Sequence, residues 1–219
     1  MTWSSIFPVV ISLLLRERIG GIAQAVAEEV EGDDRGDDED GRRQNPRLLQ
    51  QDADVLCFQE FHTSVHPEYY DNITAVKDLG YPYFYFSYDL DGDQHYYSST
   101  IFSKYPIVDS GLIRYPRPTL PDALIHADIR VGTDTIRVYT THMQSIQFGK
   151  SDYERLNKIR SVEDSLVTNS KSLLSKIKRG FTNRSIQADL IAEVIGNSPH
   201  PVVFCADLND IPNSYAYTT

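Results

Sequence analysis

Apolar and polar positions along the chain change period several times. Ile6–Leu15 (IFPVVISLLL) is an apolar run of ten residues, short of the roughly 18 that cross a bilayer. Three readings stand open for it: a signal-peptide core, the end of a clipped membrane anchor, or a short amphipathic helix. Ala25-Val26-Ala27 offers a small-x-small site, but no basic stretch precedes the run, and Arg16, Glu17 and Arg18 follow at once. From Pro46 the pattern becomes that of a folded domain. Asp54–Glu60 (DVLCFQE) opens with four consecutive apolar residues, as expected of a strand covered on both faces. Tyr81–Tyr88 is aromatic and strand-like, and Thr100–Ile107 predicts a strand ending in a Tyr-Pro turn. Ala123–Arg130 and Thr135–His142 predict a hairpin around Val131-Gly132-Thr133-Asp134.

The period then lengthens. Ser151-x-x-Glu154 has the form of a capping box ahead of Leu156, Ile159 and Val162, and the stripe continues through Leu173, Leu174 and Ile177 toward Gly180. A second helix is predicted from Ser185 to the stop at Gly196-Asn197 and Pro199. Pro201–Asp207 (PVVFCAD) reads as another strand with apolar neighbours on both faces. Strands, helices and a final strand in one domain imply layered α/β packing.

Charge sharpens this division. The 219 residues carry 21 basic and 31 acidic side chains, a net charge of −10. Residues 28–40 alone hold nine acids and one arginine, a net −8, which leaves −2 for the rest. That run has nothing to pack and reads as a solvated linker. The chain therefore divides into an apolar N-terminal segment at 1–27, an acidic linker at 28–45 and a domain at 46–219. With two cysteines, Cys57 and Cys205, each in an apolar run, a disulfide scaffold is excluded and two buried thiols are expected. The balance also argues against holding duplex DNA by a general positive field.

Three polar groups end apolar strands: Glu60 after VLCFQ, His142 after TIRVYTT and Asp207 after VVFCA, with Asn209 two residues on. His142 shares a face with Ile136, Val138 and Thr140 by the two-residue period. A carboxylate at the mouth of a buried strand is costly unless paired or bound to a cation. Strands ending at one edge of a sandwich would bring these groups together.

DVLCFQE at 54–60, FSKYPI at 102–107, THMQS at 141–145 and ADLND at 206–210 with Pro212 and Ser214 occur in one order. Together they resemble the motifs of the endonuclease/exonuclease/phosphatase superfamily. The resemblance covers residues 46–219 and implies a four-layer α/β sandwich, DNase-I-like, here incomplete. It also implies hydrolysis of a phosphodiester or phosphomonoester, nucleic acid among the substrates, with Mg²⁺ or Mn²⁺. By motif, Glu60 matches the metal-ligating glutamate. Asp207 matches an aspartate at the metal centre that orients or deprotonates the attacking water. Asn209 matches the asparagine that holds this centre and a phosphate oxygen, and His142 a histidine that donates to phosphate. The metal ligands implied are thus Glu60 and Asp207, and the catalytic residues His142, Asp207 and Asn209.

The departures set a further expectation. Ala206 and Leu208 replace the family's glycine and phenylalanine around the aspartate. No first-strand asparagine is found in residues 1–50, and no Asp-His pair occurs anywhere in the sequence. The chain reads as a member truncated at its C-terminus, with little or no turnover expected of these residues alone. A non-catalytic binding module on the same fold is the alternative. Localisation is expected to be cytoplasmic or membrane-associated through residues 6–15, rather than secreted. The basic stretch at Lys171, Lys176, Lys178, Arg179 and Arg184 reads as a solvated helix face.

Overall fold

The computed structural model describes residues 10–19, 22–30, 53–65, 71–87, 90–92, 95–116, 123–146, 148–154 and 166–219. These residues form strands β1 (Val10–Ile19), β2 (Ile22–Val30), β3 (Val55–Ser64), β4 (Tyr83–Phe86), β5 (Leu90–Gly92), β6 (His95–Ser103), β7 (Ile107–Arg114), β8 (Ala123–Val131), β9 (Asp134–His142) and β10 (Val202–Asp207). Helices are α1 (Asn72–Asp78), α2 (Leu166–Gly196) and the short α3 (Tyr215–Thr218). Two compact units contain them: Met1–His142 with Asn197–Asp207, and Met143–Gly196 with Leu208–Thr219.

The first unit is built on two sheets. One has the order β2-β1-β3-β6-β4, with β5 also on β6, and the other the order β10-β9-β8-β7. All pairings are antiparallel except β9 with β10, which run parallel. The sheets pack face to face because strands from both present alternate apolar residues to one core. Val55, Cys57 and Ile101 of the first sheet meet Ile125, Ala127, Ile129, Ile136, Val138 and Cys205 of the second. The opposite face of β3 and β6 gives Leu56, Phe58, Phe61 and Phe102 to a second cluster, covered by Val76 of α1 and by Tyr81. The four-residue apolar run of β3 is therefore buried on both sides, as its lack of alternation predicts. Cys57 and Cys205 are free and buried; a hydrogen bond from Cys205, burial and the second thiol's charge together push the Cys57 thiol up.

Several expectations change. Val10–Ile19 is a strand, paired antiparallel with β2 and β3, so the aliphatic run at its head adds to the first sheet rather than forming a helix. Its β-branched residues suit a pleated surface, and Ala25-Val26-Ala27 lies within β2. Ile107–Arg114, of which the sequence gives only Ile107 to a strand, is β7, the outer partner of β8. β10 is half-covered only: Phe204 is 36% exposed, because among the described strands β9 alone pairs with it. The acidic run from residue 31 onward and the helical positions Leu156, Ile159 and Val162 lie outside the described residues. No described helix is long and apolar enough to cross a membrane.

In the second unit α2 runs unbroken where two helices were expected. Glycine within a helix costs about 1 kcal/mol relative to alanine, and Gly180 is kept there by space: a Cβ would stand 3.0 Å from Ile146 Cγ1. The buried face of α2 carries Leu173, Gly180, Arg184, Gln187, Ala188 and Ile191, a helical period through the glycine. The helical turn at 150–154 begins one residue before the expected cap. The Asp152 N–H donates to the Gly149 carbonyl at 2.8 Å, and the Asp152 carboxylate accepts from the Gly149 N–H at 2.8 Å. Asp152, not Glu154, supplies the returning carboxylate of a capping box.

Candidate active site

The placement of Glu60 comes from a break in the β3–β6 ladder. Phe58 pairs with Thr100 and Phe61 with Ser98, so three steps on β3 match two on β6, a β-bulge at Gln59-Glu60. By the two-residue period Val55, Cys57 and Gln59 face the inter-sheet core, and Glu60 would follow Phe58 to the other side. Instead its backbone takes φ 59°, in the left-handed region. A non-glycine residue held there costs about 1–3 kcal/mol. The bulge re-aims the side chain, as bulges beside functional sites do. Glu60 Oε1 comes to 3.7 Å from Nδ1 of His142.

His142 and Asp207 need no such distortion. They are the last register pair of the parallel β9–β10 ladder, and their side chains leave the sheet on the face that carries Val138 and Cys205. Asp207 Oδ2 is 3.8 Å from His142 Nε2. The imidazole thus has a carboxylate at each nitrogen. Its Nδ1 is buried and has no hydrogen-bond partner, which is uncommon for a buried nitrogen and calls for a reason.

Neighbouring polar groups hold these strand ends. Gln59 Nε2 donates to Thr140 Oγ1 at 2.6 Å, a buried tie from the bulge in β3 to the strand that carries His142. Thr141 Oγ1 donates to the Ala123 carbonyl at 3.0 Å and bonds the Tyr115 hydroxyl at 2.7 Å. Neither tie is evident from the sequence, although an amide inside the run VLCFQE is the signal for the first. Asn209 belongs to the second unit. Its backbone is left-handed, φ 49°, and its Nδ2 donates to the Met143 carbonyl at 2.8 Å. Of the four residues singled out by motif, Glu60, His142 and Asp207 are brought together in the first unit.

A second charged cluster lies on the other face of β8 and β9. Arg137 grips Asp128 bidentately at 2.6 and 2.7 Å, and His200 Nε2 is 3.5 Å from Asp128 Oδ2. Burial alone would raise the Asp128 carboxyl, but the Arg137 hydrogen bonds and charge outweigh it and hold the group below the usual carboxylate range. Next to it His126 is held below the ordinary histidine value, by burial first and by Arg137 second. These groups brace the sheet.

The donor chemistry of Glu60 and Asp207 suits a hard divalent cation. Mg²⁺ is commonly held by one or two carboxylates together with waters and substrate phosphate oxygens. Both side chains reach solvent, at 23% and 29% exposure. Among the described residues there is no group of three or more His, Cys, Asp or Glu side chains placed to hold a metal.

A family model described as the Endonuclease/Exonuclease/phosphatase family matches residues 30–219. The chain belongs to this family. No curated protein sequence matches it. Among solved structures, a humanized D. rerio TDP2 carrying 14 mutations is similar at 18% identity and a TM-score of 0.51, over 79% of this chain and 56% of that one. A β-hairpin deletion mutant of beta toxin from Staphylococcus aureus is similar at 18% identity and a TM-score of 0.50, over 78% of this chain and 60% of that one. This chain thus aligns with a little over half the length of either. At that identity the likeness bears on fold, and it supports the mixed α/β, two-sheet architecture of the endonuclease/exonuclease/phosphatase proteins.

Proposed function

We propose that the chain is a hydrolase of phosphate esters whose site is built on Glu60, His142 and Asp207. The observation that carries this reading is His142 between two carboxylates, its buried Nδ1 without a hydrogen-bond partner, at the strand ends where the family motifs fall. Glu60, and with it Asp207, would hold Mg²⁺ or Mn²⁺, which when bound offsets negative charge on the phosphoryl group. Asp207 takes a proton from the attacking water. A P–O bond forms to that water oxygen as the bond to the leaving alkoxide breaks, and the alkoxide takes a proton from solvent water, giving a phosphate and an alcohol. His142 donates to a non-bridging phosphate oxygen, and its flanking carboxylates orient the ring.

Turnover is proposed to be slow, because these 219 residues contain no Asp-His pair to share the acid/base work. Nucleic acid is the substrate proposed first, since two of the three activities in the family's description are nucleolytic. The test is Mg²⁺-dependent cleavage of a single-stranded oligonucleotide and of bis(4-nitrophenyl) phosphate. Loss of both on Glu60→Gln is expected. Cleavage that is indifferent to Glu60 would overturn the assignment, and the absence of cleavage together with retained ligand binding would favour a non-catalytic binding module.

A further inference from the structure

Gln59 has no task in the hydrolytic reading. Its side chain is fully buried, and so is that of Thr140. Gln59 Nε2 donates to Thr140 Oγ1 at 2.6 Å, a bond between the two sheets of the first unit. Oε1 of the same amide is buried and accepts no hydrogen bond among the described residues. A buried acceptor left unmatched costs free energy that an apolar side chain of the same shape would not. Stability is therefore a poor reason for an amide here, and its place in the chain supplies a better one.

Gln59 directly precedes Glu60, and Thr140 stands two residues before His142 on the same face of β9. The Gln59–Thr140 bond is thus the neighbouring rung to the Glu60–His142 pair, whose atoms stand 3.7 Å apart. The chain is held on both sides of Glu60. Gln59 turns to the inter-sheet core with Val55 and Cys57. Phe61 is fixed in the aromatic cluster on the opposite face, its ring centroid 5.5 Å from that of Phe102 and 5.9 Å from that of Phe86. In a regular strand, residues two apart share a face. With Gln59 and Phe61 on opposite faces, the residue between them has to absorb the reversal, and Glu60 does so at φ 59°. A strained backbone of this kind persists only where its surroundings over-determine it.

We infer that Gln59 is a positioning residue: its bond to Thr140 fixes the spacing of β3 and β9 beside the bulge, and thereby the distance from the Glu60 carboxylate to His142. All of these residues lie in the first unit. The inference rests on the proposed hydrolysis for its effect on rate, but not for its effect on the placement of Glu60.

The full chain is compared with two variants. Gln59→Met/Thr140→Val replaces both partners by apolar side chains of similar volume and leaves neither unmatched, whereas Thr140→Ser keeps the accepting hydroxyl. With Mg²⁺ in excess, kcat of the double variant on bis(4-nitrophenyl) phosphate is expected to fall about 100-fold while KM changes less than about twofold, because a displacement of about 1 Å at a reacting group shows in kcat. Its melting temperature is expected to stay at or above that of the parent, and Thr140→Ser to keep kcat within about threefold. A folded double variant with kcat within about twofold of the parent overturns the inference, as does a Thr140→Ser whose kcat falls as far as the double variant's. Should the double variant not fold, Gln59→Met alone carries the same readouts. If the parent chain hydrolyses nothing, the proposed function is what has failed, and the placement is read from crystal structures of the parent and the double variant instead. The Glu60 carboxylate is then expected to stand at least about 1 Å further from His142 in the variant. A carboxylate that stays in place overturns the inference.

Discussion

Asp207 and His142 close the β9–β10 ladder as its last register pair, with Oδ2 of one 3.8 Å from Nε2 of the other. Parallel neighbours that end together place their last side chains beside each other at the sheet's edge, so the pair is a product of topology and needs no loop to assemble it. If they act as one unit, their substitutions do not add. Asp207→Asn and His142→Asn are each expected to lower kcat by about 10²–10⁴-fold, and the double variant to fall little further than the worse single one. A double-mutant cycle on phosphodiester cleavage measures this. Full additivity would mean that the two residues work independently.

Glu60 stores strain for its position. At φ 59° an L-residue costs about 1–2 kcal/mol relative to glycine's freedom there. Glu60→Gly is therefore expected to be more stable than Glu60→Ala by about 1 kcal/mol, while both lose metal-dependent turnover. Chemical denaturation of the two variants side by side checks the order, and equal midpoints would place the strain elsewhere.

The Asp128–Arg137 pair is bidentate, and its carboxylate is only 4% exposed. Asp128→Asn leaves a guanidinium short of its counter-charge and is expected to cost about 3 kcal/mol. The pH dependence follows from the lowered carboxyl. Its contribution is complete above the unfolded value of about 3.9 and is lost as pH falls through the lower folded value. The stability gap between parent and variant should be constant near neutrality and should close below about pH 4. A gap that closed above pH 5 would contradict this.

Gly111 is glycine because of His126: a Cβ would stand 2.6 Å from His126 Cε1, with Tyr139 on the ring's other neighbour position in the same cross-strand row. Gly111→Ala is expected to cost about 1–3 kcal/mol through this overlap, and His126→Ala should relieve it. Because burial holds His126 below its ordinary value, the neutral ring is favoured in the fold and protonation of the unfolded chain works against it. Stability should therefore decline as pH falls below about 6.5, and that part of the decline should vanish in His126→Gln. Thermal melts of the variants from pH 7.5 to 5 read both effects.

The strands that carry the site were legible in the sequence because each is marked at its end. VLCFQE, TIRVYTTH and VVFCAD are apolar runs closed by a charged or titratable residue, and the two-residue period alone puts His142 on the face of Val138. The β8–β9 hairpin was legible for a similar reason: Gly132, at φ 62°, supplies the turn conformation that other residues resist. The bulge was not, since periodicity sends Glu60 to the wrong face and a one-residue slip leaves no mark in composition. Gly180 misled because a glycine within a helical pattern reads as a stop, whereas its purpose here is close approach to Ile146. Arg184 was hidden among lysines that share its charge but not its burial. Val10–Ile19 was not legible as a strand because an aliphatic run shows the same apolarity in a helix or a strand, and its pairing with β3 leaves no mark in the sequence.

The central claim, a phosphate-ester hydrolase built on Glu60, His142 and Asp207, is tested most directly by release of 4-nitrophenol from bis(4-nitrophenyl) phosphate with and without Mg²⁺, for the parent chain and Asp207→Asn. The account predicts slow release that requires the metal ion and drops by at least about 100-fold in the variant, with the melting temperature preserved. Release at the same rate in a folded Asp207→Asn, or release that ignores the metal ion, would contradict it.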